Sequence, residues 1–414
     1  MSIRQRPRGV MGILLALSCA APAPSTDPEP LILSDPVEFL GTVAVREPMV
    51  VEHPTGVLFV AGYTQAVEES LQPPKLFKSL DGGLVWEPVN VGTPADGAVG
   101  NSDVDLAVTP DGTLYFLTMG FDRATGEGTH VSVGVSRDVG ATWSWSLLSQ
   151  KRLVDRPWIR VAPDGRVLVI WNDGEGVSLA VSTDGGHSWS DQDRIHHQGG
   201  SSHMAVGPEG QIAVRISPVS ASGNRFDAGV DLLKISTDGG ETWTQQTPPG
   251  QRNWSPDVTG QSVLPRWVEP VAWDGDALFS LWSEGSTLWL GRSLDLGATW
   301  VTWQVVTDQS LVFYPNLVSD GRGQLAATWF SVSSDSLTAN VGLFGDIGGS
   351  QPVLRRSTPF PVDAWRQTTA GPVRDPGGEY FPVLFLSAGD LGVATPIQNP
   401  QAGRLGFSWI RVAY

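Results

Sequence analysis

A set of acidic, basic and aromatic residues stands directly in front of short apolar runs along this chain. Glu47 precedes "PMVVE", Asp103 "VDLAV", Arg156 "PWIRV", Ser201 "SHMAV", Glu269 "PVAWD", Tyr314 "PNLVS" and Phe381 "PVLFL". Arg46, Asp155, Trp158, His203, Arg266, Trp267, Glu379 and Tyr380 lie within a few residues of these positions. Such a set has a definite chemistry. Carboxylates and guanidinium groups hydrogen-bond hydroxyls, and the faces of Trp158 and Trp267 can stack on sugar rings. In the aligned set Glu47, Asp103 and Glu269 outnumber Arg156, which suits a neutral polyol or a cation better than an anionic sugar. The competing reading is structural, with Glu-Pro and Asp-Arg-Pro tying inner strands together through ion pairs and capped turns.

These residues share one position only because the chain repeats. Seven copies of an apolar strand, a "PDG"-like turn and a second apolar strand run from "EPMVVEHPTGVLFVAG" to "FPVLFLSAGDLGVATPI". Five of them lead into a second phrase, Ser-x-Asp-x-Gly-x-x-Trp. Its copies are Ser79 to Trp86, Ser136 to Trp143, Ser182 to Trp189, Ser236 to Trp243 and Ser293 to Trp300. A repeat of roughly 50 residues means a propeller or a solenoid. In each box the Asp accepts hydrogen bonds from backbone N–H groups one and two residues on, the Gly supplies a positive-φ position, and the Trp wedges between neighbouring sheets. In the sixth unit a degraded box is expected to end at Trp365. The seventh unit supplies three strands, and "PVEFLGTVAV", ahead of the first unit, supplies a spare outer strand. The fold class is therefore all-β: a single β-propeller of four-stranded blades closed by the N-terminal strand, with seven blades and six as the alternative count.

The five boxes resemble the Asp-box (BNR) repeats of sialidase-like propellers, over about Asp35 to Tyr414. That resemblance implies boxes on the blade periphery and ligands at the channel mouth. It also implies, for a sialidase, an arginine triad, a Tyr–Glu nucleophile pair and an Asp acid/base. Arg46 matches the first arginine, in Arg46-Glu47-Pro48 where the family has Arg-Ile-Pro. Tyr314 and Tyr380 are the nucleophile candidates, because Tyr63 and Tyr115 lie in strands and Tyr414 is terminal. The stretch "GYTQAVEESLQPPKLFK", where the family carries its acid/base Asp, has Glu68 and Glu69 but no Asp. Two functions follow: recognition of a glycan or protein ligand at the mouth, or retaining exo-sialidase chemistry. The sequence leaves open whether the chain is an enzyme.

Composition narrows the partners. The formal net charge of −16 argues against nucleic acid. No cofactor and no metal are expected: His196, His197 and His203 lie close in sequence without a ligand spacing, and no Gly-x-Ser-x-Gly elbow is present. Arg4, Arg6 and Arg8 followed by "VMGILLALSCA" read as an export signal over 1–19, with Cys19 placed for lipidation. Residues 20–34 read as a Pro-rich tether and 35–414 as the propeller, most simply a monomer, exported and either lipid-anchored in the cell envelope or secreted.

Overall fold

Each of the seven units folds into a four-stranded antiparallel sheet, and the sheets follow one another around an axis as the blades of one propeller. The computed structural model describes residues 28–64, 73–191, 193–197, 199–200, 202–218, 228–254, 269–308, 310–333, 336–368 and 371–414. Blade 1 runs from the inner strand Arg46–Glu52 through Leu58–Tyr63 and Lys75–Ser79 to the outer strand Glu87–Pro88. The inner strands of blades 2 to 7 are Val104–Val108, Asp155–Val161, Ser202–Val206, Val271–Asp274, Leu311–Ser319 and Val383–Phe385. Within each blade the strands reverse through tight turns of the kind made by Gly112, whose N–H bonds the Thr109 carbonyl at 2.9 Å.

The ring closes between its two ends. Ile32–Leu33 and Val37–Leu40 both pair with the last strand, Arg404–Ala413, and form the outer edge of blade 7 in two pieces. The propeller therefore begins before Asp35, and the final residues of the expected tether belong to the sheet. Apolar clusters lie between successive blades. One joins blades 1 and 7 through Val60, Phe77, Phe407 and Trp409, and another joins blades 2 and 3 through Leu117, Val133, Val169 and Trp171. A third gathers around the axis, with Met49, Leu106, Trp158, Met204 and Tyr380.

The five boxes share one Ser–Asp–Gly hydrogen-bond pattern, and all but the box of blade 3 add a bond from the Trp indole. In blade 4 the Ser236 hydroxyl donates to Asp238 at 2.7 Å and accepts from the Gly240 N–H at 2.8 Å. Asp238 also accepts from the Thr242 N–H at 2.9 Å, and the Trp243 indole donates to the Gly240 carbonyl at 3.0 Å. The aspartate thus reaches four residues forward, and not the one or two expected, because the loop first turns through two left-handed residues, Gly239 and Gly240 here and Val139 and Gly140 in blade 2. Hydrogen bonds from the Thr242 hydroxyl and N–H, then from Ser236, hold the Asp238 carboxyl down at about 2. The wedge role of the tryptophan is clearest in blade 1, where Trp86 meets Phe407 and Trp409 of blade 7 edge-on, at 5.2 and 5.6 Å.

Blade 6 departs from the expected pattern. Its outer strand is Val353–Arg356, so the blade is complete before Trp365 is reached. Trp365 instead begins a separate hairpin, Trp365–Thr368 with Gly371–Arg374. The box lock has a measurable consequence. Ser236→Ala removes the acceptor of a buried glycine N–H and is expected to cost about 1–3 kcal/mol. Urea unfolding of the variant beside wild type measures it.

Candidate functional site

Antiparallel order puts the start of each inner strand and the box of the same blade at opposite ends. The residues that precede the inner strands therefore face the mouth away from the boxes. Three of them are held by the same device. Pro48, Pro157 and Pro315 have no N–H to give to the ladder, so the strand must bulge there. The pairing register slips at these points, between Arg46 and Met49, between Asp155 and Trp158, and between Phe313 and Asn316. The residue before each proline takes a left-handed backbone: Glu47 at φ 45°, Arg156 at 47° and Tyr314 at 49°. Such conformations cost about 1–3 kcal/mol each and persist where the surroundings impose them. Here they aim a carboxyl, a guanidinium and a phenol at one region.

A strap brings the far side of the ring into that region. Residues 375–381, leading into blade 7, lie across the mouth and bond to blades 1, 2, 3 and 6. The Glu47 N–H donates to Gly377 at 3.2 Å, and the Glu379 N–H donates to the Glu47 carboxyl at 3.0 Å. Arg156 of blade 3 pairs with Glu379 at 2.7 Å. The Tyr380 hydroxyl donates to Asp103 at 3.3 Å, and the Thr328 hydroxyl to the Phe381 carbonyl. Gly378 makes the approach feasible: it has a φ of 131°, and a Cβ there would run into the Glu47 side chain. Arg46 lies 2.6 Å from Gln398 and 3.7 Å from Asp375.

The electrostatics follow from crowding carboxyl groups out of water. Burial, then the charges of Asp103 and Glu379, push Glu47 well above the ordinary glutamate range, and its second oxygen is buried without a hydrogen-bond partner. Burial raises Glu379 to about 7 against the pull of Arg156, with Asp103 and Asp155 adding to the rise. Asp155 is raised to about 6, again by burial first, with Arg156 opposing. Burial likewise pushes the Tyr314 and Tyr380 phenols up, so both stay neutral. The mouth thus holds acids that keep protons near neutrality beside others that do not, the arrangement that proton transfer needs.

Several residues singled out from the sequence meet here: Arg46, Glu47, Asp103, Asp155, Arg156, Tyr314, Glu379 and Tyr380. Trp158 does not offer an open face. It is 1% exposed, with Tyr380 and His203 edge-on to it at 5.0 and 4.7 Å, and it supports the mouth from below. Glu269 is sealed in an ion pair with Arg215 of blade 4. His203 accepts the Val271 N–H at 3.3 Å, and no group of three His, Cys, Asp or Glu suited to a metal occurs among the described residues. Arg266, Trp267 and Cys19 lie outside the described residues.

Four mouth residues escaped the sequence reading. Asp375 and Gln398 sit in stretches without a repeat to align. Tyr63 was set aside as a strand residue, yet it pairs with Arg46 in register, and its ring lies 5.9 Å below that guanidinium. Arg123, at the end of a blade 2 strand, lies 6.0 Å from the same ring.

The raised carboxyl groups predict a pH dependence of stability. Between the ordinary glutamate value of 4.5 and about 7 the folded chain keeps a proton on Glu379 that the unfolded chain has lost. Stability therefore falls as pH rises through that window. Glu379→Gln is expected to flatten the decline, as read by thermal melts from pH 4.5 to 8.

Comparison with known proteins agrees with this architecture. A sequence model of the BNR/Asp-box repeat matches residues 234–245, the box of blade 4. No curated protein matches the chain. Among solved structures, the GH93 α-L-arabinofuranosidase of Fusarium graminearum, in complex with arabinobiose, superposes with a TM-score of 0.51 at 14% identity, over 92% of this chain and 98% of that one. The α-L-arabinanase of Penicillium chrysogenum, also with arabinobiose, gives 0.49 at 15% identity, over 92% and 96%. The Trypanosoma rangeli sialidase with the inhibitor DANA gives 0.43 at 15% identity, over 74% and 57%. At such identity the likeness is one of fold. The chain is a seven-bladed β-propeller that carries the BNR/Asp-box repeat.

Proposed function

We propose that the chain is an exported protein that binds a neutral glycan at the channel mouth. The observation that supports this reading is the surplus of carboxyl groups over arginines. Five carboxyl groups, Glu47, Asp103, Asp155, Asp375 and Glu379, share the mouth with three arginines: Arg156, which Glu379 engages, Arg46, taken up by Gln398 and Asp375, and Arg123, which donates to the Asn101 carbonyl at 3.3 Å. Sugar hydroxyls both donate and accept, so a polyol satisfies a mixed set of acids and arginines without adding charge. A sialate would bring a further negative charge to a site whose carboxyl groups already raise one another. Export, with Cys19 as the lipid attachment point, belongs to the same reading, and mass spectrometry of the mature N-terminus tests it.

A specific observation favours hydrolysis as a second reading. Burial lifts both Glu379, to about 7, and Asp155, to about 6, and both lie beside Arg156. Two carboxyl groups raised in one mouth are the pair from which a general acid and a general base are drawn. A tyrosine nucleophile fits less well, since burial keeps both phenols neutral.

The fold neighbours solved with arabinobiose suggest the probes. Calorimetric titration with arabino-oligosaccharides is expected to give binding that Asp103→Asn and Glu379→Gln each weaken about tenfold, the loss of one or two charged hydrogen bonds. Release of fluorophore from an aryl α-L-arabinofuranoside, lost in Glu379→Gln, would establish hydrolysis. Preferential binding of sialyllactose, or turnover of an aryl sialoside that depends on Arg46 and Tyr314, would overturn the neutral-glycan reading.

A further inference from the structure

The box of blade 3 holds its tryptophan differently from the others. In blades 1, 2, 4 and 5 the indole N–H donates to the carbonyl of the box glycine, at 3.0 to 3.2 Å. The Trp189 indole nitrogen is buried and makes no such bond. Its ring is therefore held by packing alone. Beside it opens a groove of about 620 Å³ between the outer strand of blade 2, Ser144–Ser149, and the box of blade 3, with Ser146, His187, Trp189, Ser190 and Asp191 in its walls. That volume suits a small organic ligand.

The polar groups of the groove are set for hydroxyls. His187 Nδ1 lies 2.6 Å from the Asp184 carbonyl, a contact that requires the proton on Nδ1. Arg137 also approaches Nδ1, at 3.1 Å, but its stronger bond goes to the Gly185 carbonyl at 2.6 Å. His187 Nε2 is left as an acceptor. The Ser190 hydroxyl oxygen accepts the Val181 N–H at 3.0 Å, so its hydrogen is directed elsewhere. Asp191 is exposed and adds a carboxylate. An indole, an imidazole acceptor, a hydroxyl donor and a carboxylate around an open groove are the elements with which a protein holds a sugar: one apolar ring face and a rim of hydroxyls.

We propose that this groove is a second carbohydrate-binding subsite for a neutral oligosaccharide, at the blade periphery and at the opposite end of the blades from the mouth. It rests on the reading that the chain handles neutral glycans, and it explains why His187 stands where the other boxes have Leu, Ala or Glu.

Native gels cast with soluble arabinan, xylan or galactan test it. The full chain is run as wild type and as Asp103→Asn/Glu379→Gln, in which the mouth is disabled. The mouth-disabled protein is expected to remain retarded by at least one polysaccharide. Adding His187→Ala or Trp189→Ala is expected to weaken that retardation about tenfold. Should Trp189→Ala lower the melting temperature, the surface pair His187→Ala/Asp191→Asn decides. No retardation of the mouth-disabled protein, or retardation indifferent to the groove substitutions, would overturn the groove while leaving the mouth to be judged on wild type. No retardation of wild type would sink both.

Discussion

Closure is the constraint on which everything else in this molecule rests. Seven sheets around an axis form a ring only if the last meets the first, and here the join is a hydrogen-bonded ladder between Val37–Leu40 and the final strand. Without it blade 7 keeps an open edge and the apolar cluster between blades 7 and 1 loses its outer cover. With it, the axis is fixed and the strand starts of all the blades converge on one mouth. The boxes serve the same end locally, since each locks a turn on its own side chains and leaves an indole to wedge the next blade.

At the mouth, two kinds of cost are concentrated. One is backbone strain at Glu47, Arg156 and Tyr314. The other is the desolvation of several carboxyl groups within reach of one another. Neither is needed to make a propeller: blade 2 begins with Asp103 and no proline, and its ladder runs from Val104 without a slip. The proteins that keep such costs generally use them. The boxes of blades 2 and 5 carry the same left-handed backbone at Val139 and Leu296, so it is the buried carboxyl groups, more than backbone strain, that set the mouth apart.

The architecture was legible in the sequence because its determinants are local. A box is eight residues long, a PDG turn three, and both recur often enough to count. The spare N-terminal strand could be inferred because a seventh unit with three strands needs a fourth. The mouth was legible in part, since residues placed by register (Glu47, Asp103, Arg156, Tyr314) required only an alignment of turns. What escaped depends on contacts between distant segments. Nothing in "RDPGGEYF" announces a strap, and nothing near Trp158 shows that Tyr380 will cover its ring. Trp365 misled because aromatic spacing imitates a box, whereas the blade had already closed with Val353–Arg356.

The strap also ties the site to the order in which the chain is made. Its partners in blades 1, 2 and 3 emerge from the ribosome first, and residues 375–381 only after six blades. A chain stopped before Asp375 already contains all five boxes and the inner strands of six blades, yet Arg156 has no Glu379 and Asp103 no Tyr380. The candidate site is thus incomplete until residues 375–381 have been made and laid across the mouth. Whatever the mouth does, it needs the strap in place.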